Sequence, residues 1–166
     1  MNRERIVAHI AGLRRYARLL TRDSHRADDL VQDTLLRACA KWTLWRPDSD
    51  LRAWLFTIMH NLFINQLRAA PPHSLPLDSS MEASHTEDAS IGIDLDRALA
   101  RLPDDQREVL LMVTVEDFSY AEVARATGVP IGTVMSRLSR GRRRLREVME
   151  GTREMAETRP NLKVMK

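Results

Sequence analysis

A chain of 166 residues has room for one ordinary domain or two small ones, since roughly 60 residues is near the lower limit for an independent core. An apolar share of 43% is globular and a charged share of 30% is high, which excludes wholesale disorder and fibres. The net charge of +3 hides a segregation: Asp78, Glu82, Glu87, Asp88, Asp94 and Asp96 fall in a stretch without Lys or Arg, whereas Arg137 to Arg146 is dense in arginine. Charge divided this way predicts different partners for different segments.

No apolar run approaches the ~18 to 20 residues that span a bilayer, and Met1-Asn2-Arg3-Glu4-Arg5 lacks the layout of a secretory signal. A cytoplasmic protein without membrane insertion is expected. Cys39 stands alone, so no internal disulfide or paired-cysteine zinc site can form, and it is expected as a small packing residue. His9, His25, His60, His73 and His85 lack metal-ligand spacing, and there is no phosphate-binding glycine loop or nucleophile–base pattern. No metal, cofactor, catalytic residue or enzymatic activity is expected.

Ile6, Val7, Ile10, Leu13, Ala17 and Leu20 recur at three- and four-residue spacing and predict a first helix. Ser24 is the expected N-cap of a second, with Ala27, Leu30, Val31, Thr34, Leu35, Ala38 and Trp42 on one face. Arg46-Pro47-Asp48-Ser49-Asp50 reads as a turn, and a third helix runs from about Leu51 to Arg68 before Pro71-Pro72 stops it. From Pro71 to about Ile91 periodicity is lost among Pro, Ser, His and acids. It resumes at Leu95, Ala98, Leu99 and Leu102, and another helix follows Pro103. The expected architecture is all-α: a helical domain over 1–70, an acidic flexible linker over 71–91, a second helical domain over 92–150 and a weakly patterned tail over 151–166.

Ser119-Tyr120-Ala121-Glu122 fits a capping box, Thr127-Gly128-Val129 ends that helix on a glycine, and Pro130 favours a new start. Helix, short glycine turn, helix is the layout of a DNA-binding helix-turn-helix. At 100° per residue, Ile131, Val134, Leu138, Gly141, Leu145 and Val148 form the second helix's core stripe. Thr133, Ser136, Arg137, Arg140, Arg143 and Arg144 lie on the other side, short hydroxyls first and guanidinium groups beyond. A recognition helix needs this: small polar groups where it enters the major groove, arginines for guanine edges and phosphates.

Opposite the second helix's apolar stripe stand Asp29, Gln32, Asp33, Leu36 and Ala40, an apolar anchor in a charged rim that fits a protein contact. On the third helix Thr57, Asn61, Asn65 and Arg68 share one arc, either to read nucleic acid or simply as its wet face.

Asp28-Asp29-Leu30-Val31-Gln32-Asp33-Thr34-Leu35-Leu36-Arg37-Ala38 resembles the most characteristic stretch of the extracytoplasmic-function sigma factors, and Leu51-Arg52-Ala53-Trp54-Leu55 with Asn61 and Arg68 resembles their next. Leu102-Pro103, Gln106-Arg107-Glu108-Val109, Phe118-Ser119-Tyr120-Ala121-Glu122-Val123-Ala124 and Gly128-Val129-Pro130-Ile131-Gly132-Thr133-Val134-Met135-Ser136-Arg137-Leu138 are similar to their C-terminal domain. The likeness covers about residues 5–150.

The resemblance implies a transcription initiation factor that binds core RNA polymerase and promoter DNA. Asp29, Gln32, Asp33, Leu36 and Arg37 would meet the β′ clamp helices, and the second domain the β flap. Thr57, Asn61, Asn65 and Arg68 would capture the −10 element as a single strand, and the recognition helix would read the −35 element as duplex. An anti-sigma factor is the implied inhibitor. Family members often carry an aspartate where this chain has Asn65, an amide that donates as well as accepts hydrogen bonds. A stand-alone helix-turn-helix regulator would explain the C-terminal half, but not the Asp29–Leu36 surface.

Overall fold

The computed structural model describes residues 3–70 and 87–157, and every regular element among them is helical. The first half comprises α1 (Arg3–Thr21), α2 (Ser24–Ala40), a 3-10 turn at Trp42–Leu44 and α3 (Leu51–Ala69). The second comprises α4 (Glu87–Ala100), α5 (Asp104–Thr114), α6 (Tyr120–Thr127) and α7 (Ile131–Glu157).

In the first half α2 packs between α1 and α3, around Leu13, Tyr16, Leu20, Leu30, Leu55, Met59 and Phe63. The cap of α2 is Asp23 rather than Ser24: Arg22 takes a left-handed φ of 57°, and the Asp23 carboxylate accepts from the Arg26 N–H at 2.9 Å. Asp50 caps α3 likewise, accepting from the N–H groups of Arg52 and Ala53 at 2.8 and 3.3 Å. Two expectations for α2 are corrected. The helix ends at Ala40, so Trp42 leaves its stripe for the 3-10 turn, where it meets Trp45 with ring centroids 5.0 Å apart. Cys39 is exposed, because one residue beyond buried Ala38 the helix has turned 100° out of the core.

In the second half α4 begins at Glu87, inside the stretch expected as linker; no proline or glycine interrupts residues 87–91. The linker interior with Asp78 and Glu82, and the tail beyond 157, lie outside the described residues, although α7 extends past 150 into the expected tail. Arg107, buried on α5, donates to the carbonyls of Leu99 at 3.2 Å and Leu102 at 3.4 Å and pairs with Asp104, which closes the end of α4 against α5. Gly141 lets α7 lie on α5, for a Cβ there would stand 3.3 Å from the Gln106 carbonyl oxygen.

The helix-turn-helix forms as its spacing predicts. Ser119 and Glu122 complete the capping box, and Gly128 takes a φ of 71° at the end of α6. Val134 and Leu138 bury on the expected stripe, but Ile131 is 49% exposed, because the first turn of α7 projects beyond the residues that could cover it.

Gly128→Ala, forcing a side chain into the left-handed region, is expected to cost about 1 kcal/mol in urea denaturation. The Glu122 carboxyl is held below its ordinary pKa by hydrogen bonds from the Ser119 hydroxyl and then its N–H. A depressed folded pKa stabilises above the unfolded value and ceases to do so as pH falls through the folded one. The stability gap between wild type and Glu122→Gln should therefore narrow below about pH 4.

Candidate nucleic-acid and protein interfaces

On α2 the side chains of Ala27, Leu30, Val31, Thr34 and Ala38 are buried, and the Thr34 hydroxyl donates to the Leu30 carbonyl at 2.7 Å. The helix period then turns Asp29, Gln32, Asp33, Leu36 and Arg37 to solvent, with Leu36 60% exposed among them. The structure thus assembles the apolar anchor and charged rim as one uncovered face.

On α3, Asn61, Asn65 and Arg68 are exposed in a single arc. Thr57 shares the arc but is half-buried, and its hydroxyl donates to the Ala53 carbonyl at 2.9 Å. Trp42, Trp45 and Trp54 cluster at the other end of the helix, Trp42 lying 6.4 Å from Trp54.

On α7, Ser136, Arg140, Arg143 and Arg144 are exposed and Thr133 is half-buried. The Ser136 hydroxyl donates to the Thr133 carbonyl at 3.0 Å, and Arg140 Nε donates to the Ser136 carbonyl at 3.2 Å, which folds that guanidinium back toward the helix start. Arg137 is placed differently: only 24% exposed, its Nε lies 3.1 Å from the Asp105 carboxylate of α5. Arg143 lies 3.8 Å from Glu147 one turn along the same helix, so among the described residues only Arg137 of the four arginines is tied to another helix.

A further set of residues joins the halves. Glu116, 3% exposed in the α5–α6 connection, meets Arg15 of α1 at 2.8 Å and Arg52 of α3 at 3.0 Å, and its backbone carbonyl also accepts from Arg52. Asp117 takes a left-handed φ of 53°, and the following Phe118 stands against Phe56 at 5.0 Å and beneath the Arg52 guanidinium at 4.2 Å. His60 Nδ1 donates to the buried Glu108 carboxylate at 2.6 Å, and Arg22 donates twice to Asp96. Arg52, Phe56 and His60 follow at four-residue spacing, on the side of α3 away from Asn61 and Asn65. Sequence reading missed this contact. Its signal was α5, where consecutive Val109, Leu110, Leu111 and Met112 all bury, as in a helix covered on several sides.

Among the described residues no group of three or more His, Cys, Asp or Glu is placed to hold a metal ion, and no helix is long and apolar enough to cross a membrane. An all-helical chain with a helix-turn-helix, an arginine-lined recognition helix and a separate acidic–apolar face defines a DNA-binding protein of the transcription class. Residues 6–60 match the family described as the Sigma2 domain of PhyR, and residues 93–145 match Sigma-70, region 4. The chain is 40% identical to the ECF RNA polymerase sigma factor EcfG of Rhodopseudomonas palustris, over 86% of this chain and 82% of that one. It is 36% identical to SigM of Mycobacterium tuberculosis, over 89% and 84%. The sigma factor RpoE of Bartonella quintana, solved in complex with the anti-sigma factor NepR, superposes with a TM-score of 0.72 at 34% identity, over 89% of this chain and 96% of that one. The chain belongs to the extracytoplasmic-function sigma factors of RNA polymerase.

Removing one partner from a buried ion pair costs roughly 3–5 kcal/mol, less where the partner reaches solvent. With Arg52 31% and Arg15 58% exposed, Arg52→Ala should cost about 2 kcal/mol and Arg15→Ala less than about 1 kcal/mol by chemical denaturation.

Proposed function

We infer that this sigma factor directs RNA polymerase to promoters through three surfaces, each presenting different chemistry. The observation that carries the reading is the presence of an exposed acidic–apolar face on α2 and an exposed arginine-rich face on α7 in one chain. The first suits a protein partner and the second a polyanion. Asp29, Gln32, Asp33, Leu36 and Arg37 bind the β′ clamp helices, and the second half meets the β flap. The Thr57–Arg68 arc takes the −10 element as a single strand. Thr133, Ser136, Arg140, Arg143 and Arg144, with Arg137 at the edge, take the −35 element as duplex. The chain supplies binding energy and no reaction: the cost of unpairing bases is offset by capturing them and by phosphate contacts. It acts in the cytoplasm, where polymerase and DNA are.

The halves separate when this happens. α3 packs on α6 and α6 on α7, so at roughly 8–10 Å per helix packing the two reading helices lie within about 20 Å. Promoter elements centred at −10 and −35 are about 25 base pairs apart, ~85 Å along a duplex at ~3.4 Å per step. The compact arrangement is therefore the form that waits, and the superposition on a relative in complex with an anti-sigma factor supports an inhibitor that holds it.

Run-off transcription with core polymerase on fragmented genomic DNA should give discrete transcripts only when the protein is added; core binding without new start sites, or no core binding, refutes the reading. Asp33→Ala should weaken core binding and leave DNA contacts intact. Arg140→Ala should weaken binding to −35 duplex about tenfold, within the 1–3 kcal/mol of one base contact, while leaving core affinity unchanged.

A further inference from the structure

Two large apolar side chains stand in solvent at the start of the recognition helix. Ile131 is 49% exposed and Met135 53% exposed, one turn apart. Their helix is already anchored, since Val134 and Leu138 fill its core stripe, so neither is required for packing. Between them Gly132 is exposed in the first turn of α7, and a Cβ built there meets nothing within 4 Å, so no contact within the described chain calls for a glycine. Ser136 and Ser139 continue this outer face with short side chains, and Arg140 and Arg143 bracket it with positive charge. The face is low where a surface could approach closely, apolar on one edge and basic on the other.

We propose that Met135, with Ile131 behind it, contacts thymine methyl groups in the major groove of the −35 element and so helps determine which promoters this factor selects. The proposal rests on the reading of α7 as the −35 helix. The C5 methyl of thymine is the apolar group that the major groove presents, and apolar side chains on a recognition helix are what detect it. Charge complementarity favours DNA as the occupant, with arginines beside the pair. Two side chains are also far too little for the core of a stable protein contact, which takes about 800 Å² per partner. Arginine and serine contacts alone would read hydrogen-bonding edges; the apolar pair adds discrimination that those groups cannot make.

The test replaces thymines of the −35 element, one at a time on either strand, with deoxyuridine, which removes the methyl and leaves every hydrogen-bonding group. Binding is measured with holoenzyme assembled from core polymerase and this protein, on promoters recovered by run-off transcription. For wild type, one or two substitutions should weaken binding about fourfold, the equivalent of one buried methyl at ~0.8 kcal/mol. Met135→Ala holoenzyme should bind thymine and deoxyuridine forms equally, as weakly as wild type binds the deoxyuridine form. Indifference of wild type to every substitution, or full discrimination by both Met135→Ala and Ile131→Ala, overturns the proposal. So does loss of core binding in Met135→Ala with discrimination intact, which would make the patch a protein contact. Failure of the underlying reading looks different: scrambling the whole −35 element would then leave wild-type binding unchanged.

Discussion

A buried carboxylate needs compensating charge or hydrogen-bond donors, and Glu116 draws two arginines from the other half of the chain. The rest of the arrangement follows from that requirement. Asp117 adopts the left-handed turn that aims Glu116 and Phe118 the same way, and Phe118 continues a row of edge-to-face rings through Phe56 to Tyr16. Tyr16 is fully buried, and burial followed by the nearby charges of Glu108 and Glu116 pushes its phenol well above the ordinary value, so the ring is neutral at any physiological pH. The buried residues of the two halves form one continuous apolar cluster.

This junction differs from the cores on either side of it. The apolar cluster runs through it, and to this are added a Glu116–arginine triad, a His60–Glu108 pair and an Arg22–Asp96 pair between the halves. Ionic groups that lose each other on separation regain water, so this part of the contact opens at a lower cost than an equal area of core. The faces assigned to partners lie elsewhere: Asn61 and Asn65 point away from Phe56, and Leu36 stands on the outer side of α2. Closure leaves these faces exposed and fixes the distance between them. On the proposal that these faces take two DNA elements at a fixed spacing, control of that distance is control of activity.

Local chemistry made most of the fold legible in the sequence. Apolar periodicity located the helices because α1, α2 and the first turns of α7 each bury one stripe, and Ser119–Glu122 and Gly128 located the turn because caps and left-handed residues act within a few positions. The same local character explains the misses. Ser24 and Asp23 are both able to cap, and only the left-handed Arg22 decides between them. Ile131 falls on the core stripe by angle but lies beyond the end of the surface that could cover it. Glu108 and Glu116 carry no local signal of their pairing, since their partners are 48, 64 and 101 positions away in the chain. Surface residues were legible by elimination from the stripes, which is why the α2 face emerged whole, and the α7 face apart from Arg137 and half-buried Thr133, while the junction did not.

The aim of α7 is set by contacts along its inner side. Gly128 sets the angle at which α7 leaves α6, and Gly141 sets how closely α7 lies on α5, where any Cβ would press on the Gln106 carbonyl. Arg137 adds a third tie, through Asp105. With the helix held at three points along its inner side, the outer residues from Gly132 to Arg144 have fixed positions relative to one another and to the second half as a whole. Side chains that must meet base edges gain little from strength if their placement drifts by an ångström. The Arg137–Asp105 pair, at the edge of the face proposed for DNA, thus adds to the rigid register of the other arginines.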